Sequence, residues 1–322
     1  MSGHVFVTGA SGRIAAHLIP ALIARGHRVV GLARTKAKAE RVRAMGARCE
    51  VGDLGRMDAI DRGLDGAHTL YHLAGGMRGR GSETPDRINR LGTLSLLDRV
   101  IANSQLKAFV ATSSCAVHGD RSGLWVDEEM TAHPHTRYGR SKKAAENAIL
   151  SAKSSHGLPV RIVRLAAVYG PGFPFMLETP IRQGRAWLPG EGRNIVPTIH
   201  INDAVEGLMR IASSDATYDL YNLADPNPVS LAEFYGAVAQ STGGRPPKFW
   251  STWVPSYVQL SAARWVERIQ SHTPTTPKLT PDAIRLFTAS VRLNVDRIAS
   301  DLDMQWQYPS PLDGVRDTLK TV

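Results

Sequence analysis

The chain has 322 residues, of which 43% are hydrophobic, 21% charged and 7% aromatic; this ordinary globular usage excludes a fibre, a stapled miniprotein and a disordered chain. Lysine and arginine total 39 against 29 acidic residues, and the net charge of +10 implies an anionic partner, with nucleic acid, an acidic membrane surface and a phosphorylated small molecule all compatible with the sum. Only Cys49 and Cys115 carry thiols, and no leader or run of ~18 apolar residues is visible, so the expectation is a cytoplasmic protein without integral membrane association.

In chain order, His4–Val7 and His27–Ala33 read as strands, and Arg13–Arg25 between them puts Ile14, Leu18, Leu22 and Ile23 on one helical face. Further strands are predicted at Ala47–Val51, Thr69–Leu73, Lys107–Thr112 and Val160–Leu165, separated by helices such as Ile88–Ala102 and Ser141–Ser154. This alternation predicts an α/β fold with a doubly wound parallel sheet. Pro and Gly become frequent after Gly170, and helical patterns dominate from Ile201. The reading is a nucleotide-binding domain over 1–170 and a smaller, mostly helical substrate part over 171–322, with the chain crossing back near 197–224.

Thr8-Gly9-Ala10-Ser11-Gly12-Arg13-Ile14-Ala15 joins the first strand to the first helix. Small residues there let backbone N–H groups and the positive helix end approach a pyrophosphate. The second strand ends in Gly31-Leu32-Ala33-Arg34-Thr35-Lys36, with no acid for a ribose 2′-hydroxyl. Arg34 can instead face a 2′-phosphate and stack on adenine, with Arg13, Thr35, Lys36 and Lys38 adding to the site. NADP(H) is therefore expected, with NAD(H) as the alternative. Asp53-Leu54 follows the third strand, where the acid is either an acceptor for the adenine amino group or a plain turn residue.

Tyr138 and Lys142 are four residues apart and share a helix face. Ser113-Ser114 ends the strand before them, at the sheet edge where open α/β folds bind ligands. A hydroxyl and a phenol so placed can reach one carbonyl oxygen. A free phenol, with pKa near ~10, is a poor base at neutral pH, and positive charge from Lys142 and an oxidised nicotinamide would favour its phenolate.

Together with His72-Leu73-Ala74-Gly75, Asn89-Arg-Leu-Gly-Thr93, Arg164-x-x-x-Val168-Tyr-Gly-Pro171 and the tail from Asn294 to Val315, these motifs resemble the extended short-chain dehydrogenase/reductase superfamily, or NAD-dependent epimerase/dehydratase family, over nearly the whole chain. The resemblance implies a Rossmann-type fold, Tyr138 as acid/base, Lys142 on the nicotinamide ribose and Ser114 orienting the substrate oxygen. The cofactor contacts expected are Gly9, Ser11, Gly12, Arg13, Ile14, Arg34, Asp53, Leu54, Leu73, Ala74, Gly75, Tyr138 and Lys142. Asn89 matches a proton-relay position of some relatives, a packing amide being the other reading. A homodimer through helices Asn89–Ala102 and Tyr138–Ser154 is expected by the same analogy.

Two departures bear on the substrate. Ala167 and Val196 stand where relatives acting on nucleotide sugars resemble one another in carrying asparagine and arginine. Phe173, Phe175, Met176, Leu177 and Trp187, with the run Phe249 to Tyr257 and Trp265, form either an apolar pocket or a core. The tail is similar to that of 3β-hydroxysteroid dehydrogenase-like and dihydroflavonol reductase-like members. The expectation is an NADP(H)-dependent oxidoreductase for a small hydrophobic ketone or secondary alcohol, the alternative being a nucleotide-sugar epimerase, dehydratase or ketoreductase. The 11 histidines show no metal-ligand spacing, so no metal is expected. Cys115 has no base placed beside it, and His118 reads as a packing residue or a border of the substrate. The basic residues are dispersed, so no nucleic-acid partner is expected.

Overall fold

Val5, Phe6 and Val7 are all buried because strand β1 (His4–Thr8) has a parallel neighbour on each side and a helical layer on each face. The computed structural model describes residues 3–77, 84–102, 105–173, 178–213, 215–249, 258, 261 and 280–320. Phe175, Met176, Leu177, Trp250, Trp253, Tyr257, Trp265 and the basic residues Arg78 and Arg80 lie outside them.

After β1 come helix α1 (Ala15–Ala24), β2 (Arg28–Ala33), α2 (Lys36–Ala44), β3 (Arg48–Val51), α3 (Met57–Leu64) and β4 (Thr69–His72). A π-helical turn, Arg87–Leu91, runs into α4 (Gly92–Ile101); β5 (Ala108–Ser114), the short β6 (Trp125–Val126), the 20-residue α5 (Arg137–His156) and β7 (Val160–Leu165) follow. The remaining pieces that matter here are β8 (Ala167–Tyr169), the short α6 (Glu178–Arg182) and β9 (Trp187–Leu188), then β10 (Thr198–His200), α7 (Ile201–Ile211), β11 (Leu220–Leu223) and α8 (Leu231–Thr242).

Seven strands form one parallel sheet in the order β11-β7-β5-β4-β1-β2-β3, a Rossmann-type doubly wound α/β fold with a helical C-terminal region. Alternation along β1 sends Val5 and Val7 to the face covered by α1 and α7, with Leu18, Leu22 and Leu208. Phe6 goes to the other face, under Ile60 and Leu64 of α3, Leu96 of α4 and Ile149 of α5. A third cluster, Tyr169, Ile181, Leu188, Phe234, Val238, Val315 and Leu319, is the core of the C-terminal part. The chain returns to the sheet at β11, which pairs with β7 from Leu220↔Ile162 to Leu223↔Leu165. No helix among the described residues is long and apolar enough to cross a membrane.

Candidate active site

The strand order reverses between β1 and β4, and the crevice above their carboxyl ends is the ligand position of such a sheet. The glycine turn leaves β1 on one side of it, and Leu73-Ala74-Gly75 leaves β4 on the other. Gly9 sits at φ +69°, and a Cβ there would come within 2.7 Å of the Ala74 nitrogen, so these segments meet backbone to backbone only because residue 9 is glycine. Gly12 N donates to Gly9 O at 2.8 Å and closes the turn. No side chain caps α1; Ala16 N donates back to Gly12 O at 3.1 Å and His17 N to Ile14 O at 3.1 Å, so the turn runs directly into the positive end of the helix. This cradle fits a dinucleotide pyrophosphate. Ser11 is half-buried in the turn, Arg13 is exposed and Ile14 packs partly on the core.

Arg34 leaves the carboxyl end of β2 and is exposed. Thr35 caps α2, accepting from Lys38 N at 3.3 Å, so its hydroxyl serves the helix start. Asp53 Oδ1 accepts from Gly55 N at 2.9 Å in an exposed turn. Leu54 is half-buried against the α3–α4 face, and its carbonyl accepts from Ser95 Oγ at 2.6 Å.

Across the crevice, β5 ends at Ser114, whose Oγ accepts from Ala116 N at 3.2 Å and whose hydroxyl favours the ionised form of the Tyr138 phenol. Thr136 caps α5 by accepting from Gly139 N at 3.0 Å, which puts Tyr138 in its first turn and Lys142 one turn on. Burial pushes Tyr138 up to about 12, against the pull of Ser114, so the phenol holds its proton at neutral pH. Lys142 is buried and donates from Nζ to Thr112 O at 2.9 Å; burial brings its ammonium down to about 8 while Glu146 opposes the drop. A Cβ on Gly75 would stand 2.8 Å from that Nζ. Ser114, Tyr138, Lys142 and Gly75 therefore gather at one end of the crevice.

The Asn89 amide is committed at both ends. Its Oδ1 accepts from Gly76 N at 2.9 Å, and its Nδ2 donates to Gly76 O at 3.0 Å and Ser141 Oγ at 2.8 Å. That is the geometry of a packing amide which ties the segment after β4 to α5.

Two motif residues, His72 and Arg164, make buried contacts that the motifs alone do not show. His72 bridges Thr8 Oγ1 at 2.7 Å and Thr93 Oγ1 at 2.9 Å, joining the glycine turn to α4, and burial lowers its pKa to about 3. Arg164 Nε and Nη2 each donate to Glu146 at 3.1 Å in a fully buried pair. A histidine ending an apolar strand, and a glutamate one turn beyond Lys142, are the signals that point to them. Burial pushes the Cys115 thiol up to about 11, which makes it inert as a nucleophile. His118 is fully buried, its pKa held down to about 4 by burial and then by Arg164. Among the described aromatics, Phe173 packs beside His17 with ring centroids 6.4 Å apart, Phe249 packs on the C-terminal core, and Trp187 is 49% exposed beneath Lys248.

The sequence model of the NAD dependent epimerase/dehydratase family matches residues 5–224. The 4-hydroxy-2-methyl-3-oxo-4-farnesyl-3,4-dihydroquinoline-1-oxide ketoreductase of Stigmatella aurantiaca is 31% identical over 246 residues, 74% of this chain and 73% of that one. The 3beta-hydroxysteroid-dehydrogenase/decarboxylase isoform 1 of Arabidopsis thaliana is 24% identical over 297 residues, 85% of this chain and 66% of that one. The fold is similar to that of the UDP-glucuronic acid 4-epimerase from Bacillus cereus solved with UDP-glucuronic acid and NAD, with a TM-score of 0.76, 20% identity and 99% of each chain covered.

Proposed function

The chain belongs to the NAD dependent epimerase/dehydratase family, an extended short-chain dehydrogenase/reductase, and from that premise we propose that it interconverts a hydrophobic ketone and its secondary alcohol with NADP(H). The observation that carries this reading is the placement of Ser114 at the carboxyl end of β5 and of Tyr138 and Lys142 one turn apart on α5, with the Lys142 ammonium on the Thr112 carbonyl at 2.9 Å. When bound, the nicotinamide supplies the hydride. Ser114 holds the substrate oxygen, and Tyr138, protonated as it stands, delivers its proton to that oxygen. Lys142 bonds the ribose and lends positive charge to the phenol as it gives up the proton.

Gly9, Ser11, Gly12, Arg13 and Ile14 would hold the pyrophosphate, Arg34 the 2′-phosphate, and Asp53 and Leu54 the adenine. Leu73, Ala74 and Gly75 would border the nicotinamide half beside Tyr138 and Lys142. The substrate class is supported by the farnesyl-bearing ketone and the steroid in the names of the two relatives, and by Ala167 and Val196, which supply no polar contact for a sugar diphosphate. A dimer through α4 and α5 belongs to the same reading and is supported by Leu91, Leu94 and Ile101, which are 45%, 38% and 36% exposed. So does a cytoplasmic location, supported by Cys49 and Cys115 both being free thiols.

The purified protein mixed with NADPH and a panel of hydrophobic ketones should oxidise one NADPH per alcohol formed. Conversion of a nucleotide sugar without net NADPH loss would instead establish the epimerase alternative, in which the cofactor is regenerated in each turnover.

A further inference from the structure

Beside Lys142 lies a small, water-sized cavity between β4, β5, β7 and α5, bordered by His72, Thr93, Thr112, Ser113, Lys142 and Glu146. Glu146 is the only carboxylate on its wall, and its side chain is 1% exposed. Burial pushes this carboxyl up, but Arg164 on β7 and Lys143 on α5 more than offset that, and the net shift is downward, so Glu146 is ionised. Lys142 sits one turn earlier on α5, where side-chain roots are about 5–6 Å apart.

The other groups facing the Lys142 ammonium carry no negative charge. His72 on β4 is neutral, Tyr138 on α5 is protonated, and β5 presents the Thr112 carbonyl. The segment after β4 presents Gly75 and the Asn89 amide. Arg164 is positive and donates from Nε and Nη2 to Glu146 and from Nη1 to the Glu128 carbonyl, and Lys143 reaches the Glu146 carboxylate at 3.2 Å. Glu146 is thus the one anion among the described groups that meet this ammonium.

We infer that Glu146 is a positioning residue for the proposed hydride-transfer chemistry: across the cavity it is the counter-charge that keeps the Lys142 ammonium protonated, and Arg164 anchors it there. The inference rests on the reading of Tyr138 and Lys142 as the proton-transfer pair. A buried ammonium without an anion favours its neutral form, and the neighbouring phenol then loses its positive field.

The test is a direct titration of Lys142 in the full-length protein carrying isotope-labelled lysine, its Nζ resonance identified by loss in Lys142→Met. Wild-type Lys142 should be charged at neutral pH. Glu146→Gln should lower its midpoint by about one pH unit or more, a roughly tenfold change in acidity, and Glu146→Asp should restore most of it. The double variant Glu146→Gln/Arg164→Met leaves no orphaned buried cation, and because loss of the Arg164 charge offsets part of the loss of Glu146, its Lys142 midpoint should fall by less than in Glu146→Gln alone. An unmoved midpoint in folded Glu146→Gln, a double variant whose midpoint falls further than that of Glu146→Gln, or a wild-type Lys142 already neutral at pH 7 overturns the inference. Turnover retained in Tyr138→Phe would overturn the functional reading instead, and it would leave the Lys142 midpoint unchanged.

Discussion

Lys142 donates from Nζ to the Thr112 carbonyl at 2.9 Å, and the space its ammonium fills is the space a side chain on Gly75 would need. The ammonium is thereby fixed between the ends of β4 and β5, on the helix that carries Tyr138 one turn earlier.

Gly75→Ala follows from this contact. A Cβ would stand 2.8 Å from Nζ and 3.1 Å from Asn89 Oδ1, and Gly75 is not in the left-handed region, so the methyl displaces the flexible lysine end rather than straining the backbone. Loss of one charge-assisted hydrogen bond is worth roughly 1.5–3 kcal/mol. Turnover should fall by about ten- to a hundredfold, and the melting temperature by several degrees while the fold is kept. Full turnover in a well-folded Gly75→Ala would show that the position of Lys142 does not matter.

Tyr138→Phe removes the proton donor and the partner of Ser114, and leaves the glycine turn and Arg34 untouched. Positioned acid/base groups contribute about 10²–10⁴-fold in rate. Ketone reduction should drop by that order, while NADPH affinity, followed by its fluorescence, stays within a few-fold. A Phe variant with near-native turnover would assign the proton to another group.

Arg34→Ala tests the cofactor. Arg34 stands exposed at the end of β2, and no acid lies between Gly31 and Lys36. If its guanidinium meets the 2′-phosphate, the variant should weaken NADPH binding by about ten- to a hundredfold and barely affect NADH. Equal losses for both cofactors would remove Arg34 from phosphate recognition.

How far this is legible in the sequence depends on what each residue touches. β1, β2, β4, β5 and β7 fall within one or two residues of their predicted limits because apolar runs buried on both faces leave an unmistakable pattern. Helix α2 has no such stripe, since only Ala39 and Val42 of it are buried. In β11 the sequence Leu-Tyr-Asn-Leu disguises a core strand: Asn222 is fully buried because it donates to the carbonyls of Val126 and Asn294, partners far away in the chain. Ser114, Tyr138 and Lys142 are legible from a strand edge and a helical spacing. The Glu146–Arg164 pair joins two elements, and only the packing of α5 on β7 brings it together.

Buried histidines set the response to acid. Burial lowers His72 from 6.5 to about 3, and it lowers His118 to about 4 with Arg164 adding to the effect. Both rings titrate lower in the folded protein than in the unfolded chain, so between those values and pH 6.5 the unfolded chain binds more protons. Stability from these rings is complete above pH ~6.5 and is lost as the pH falls through that window. Burial raises Asp203 and Asp225, which acts in the opposite sense, so His118 is best isolated by difference. For one ring shifted this far, about 2 kcal/mol is lost by pH ~5, a sizeable part of a typical folding stability. Urea unfolding of wild type and His118→Gln at pH ~7 and ~5 should show the variant losing less stability by about that amount. Parallel losses in the two proteins would mean that His118 is protonated in the fold, with Glu146 outweighing burial and Arg164 at the ring.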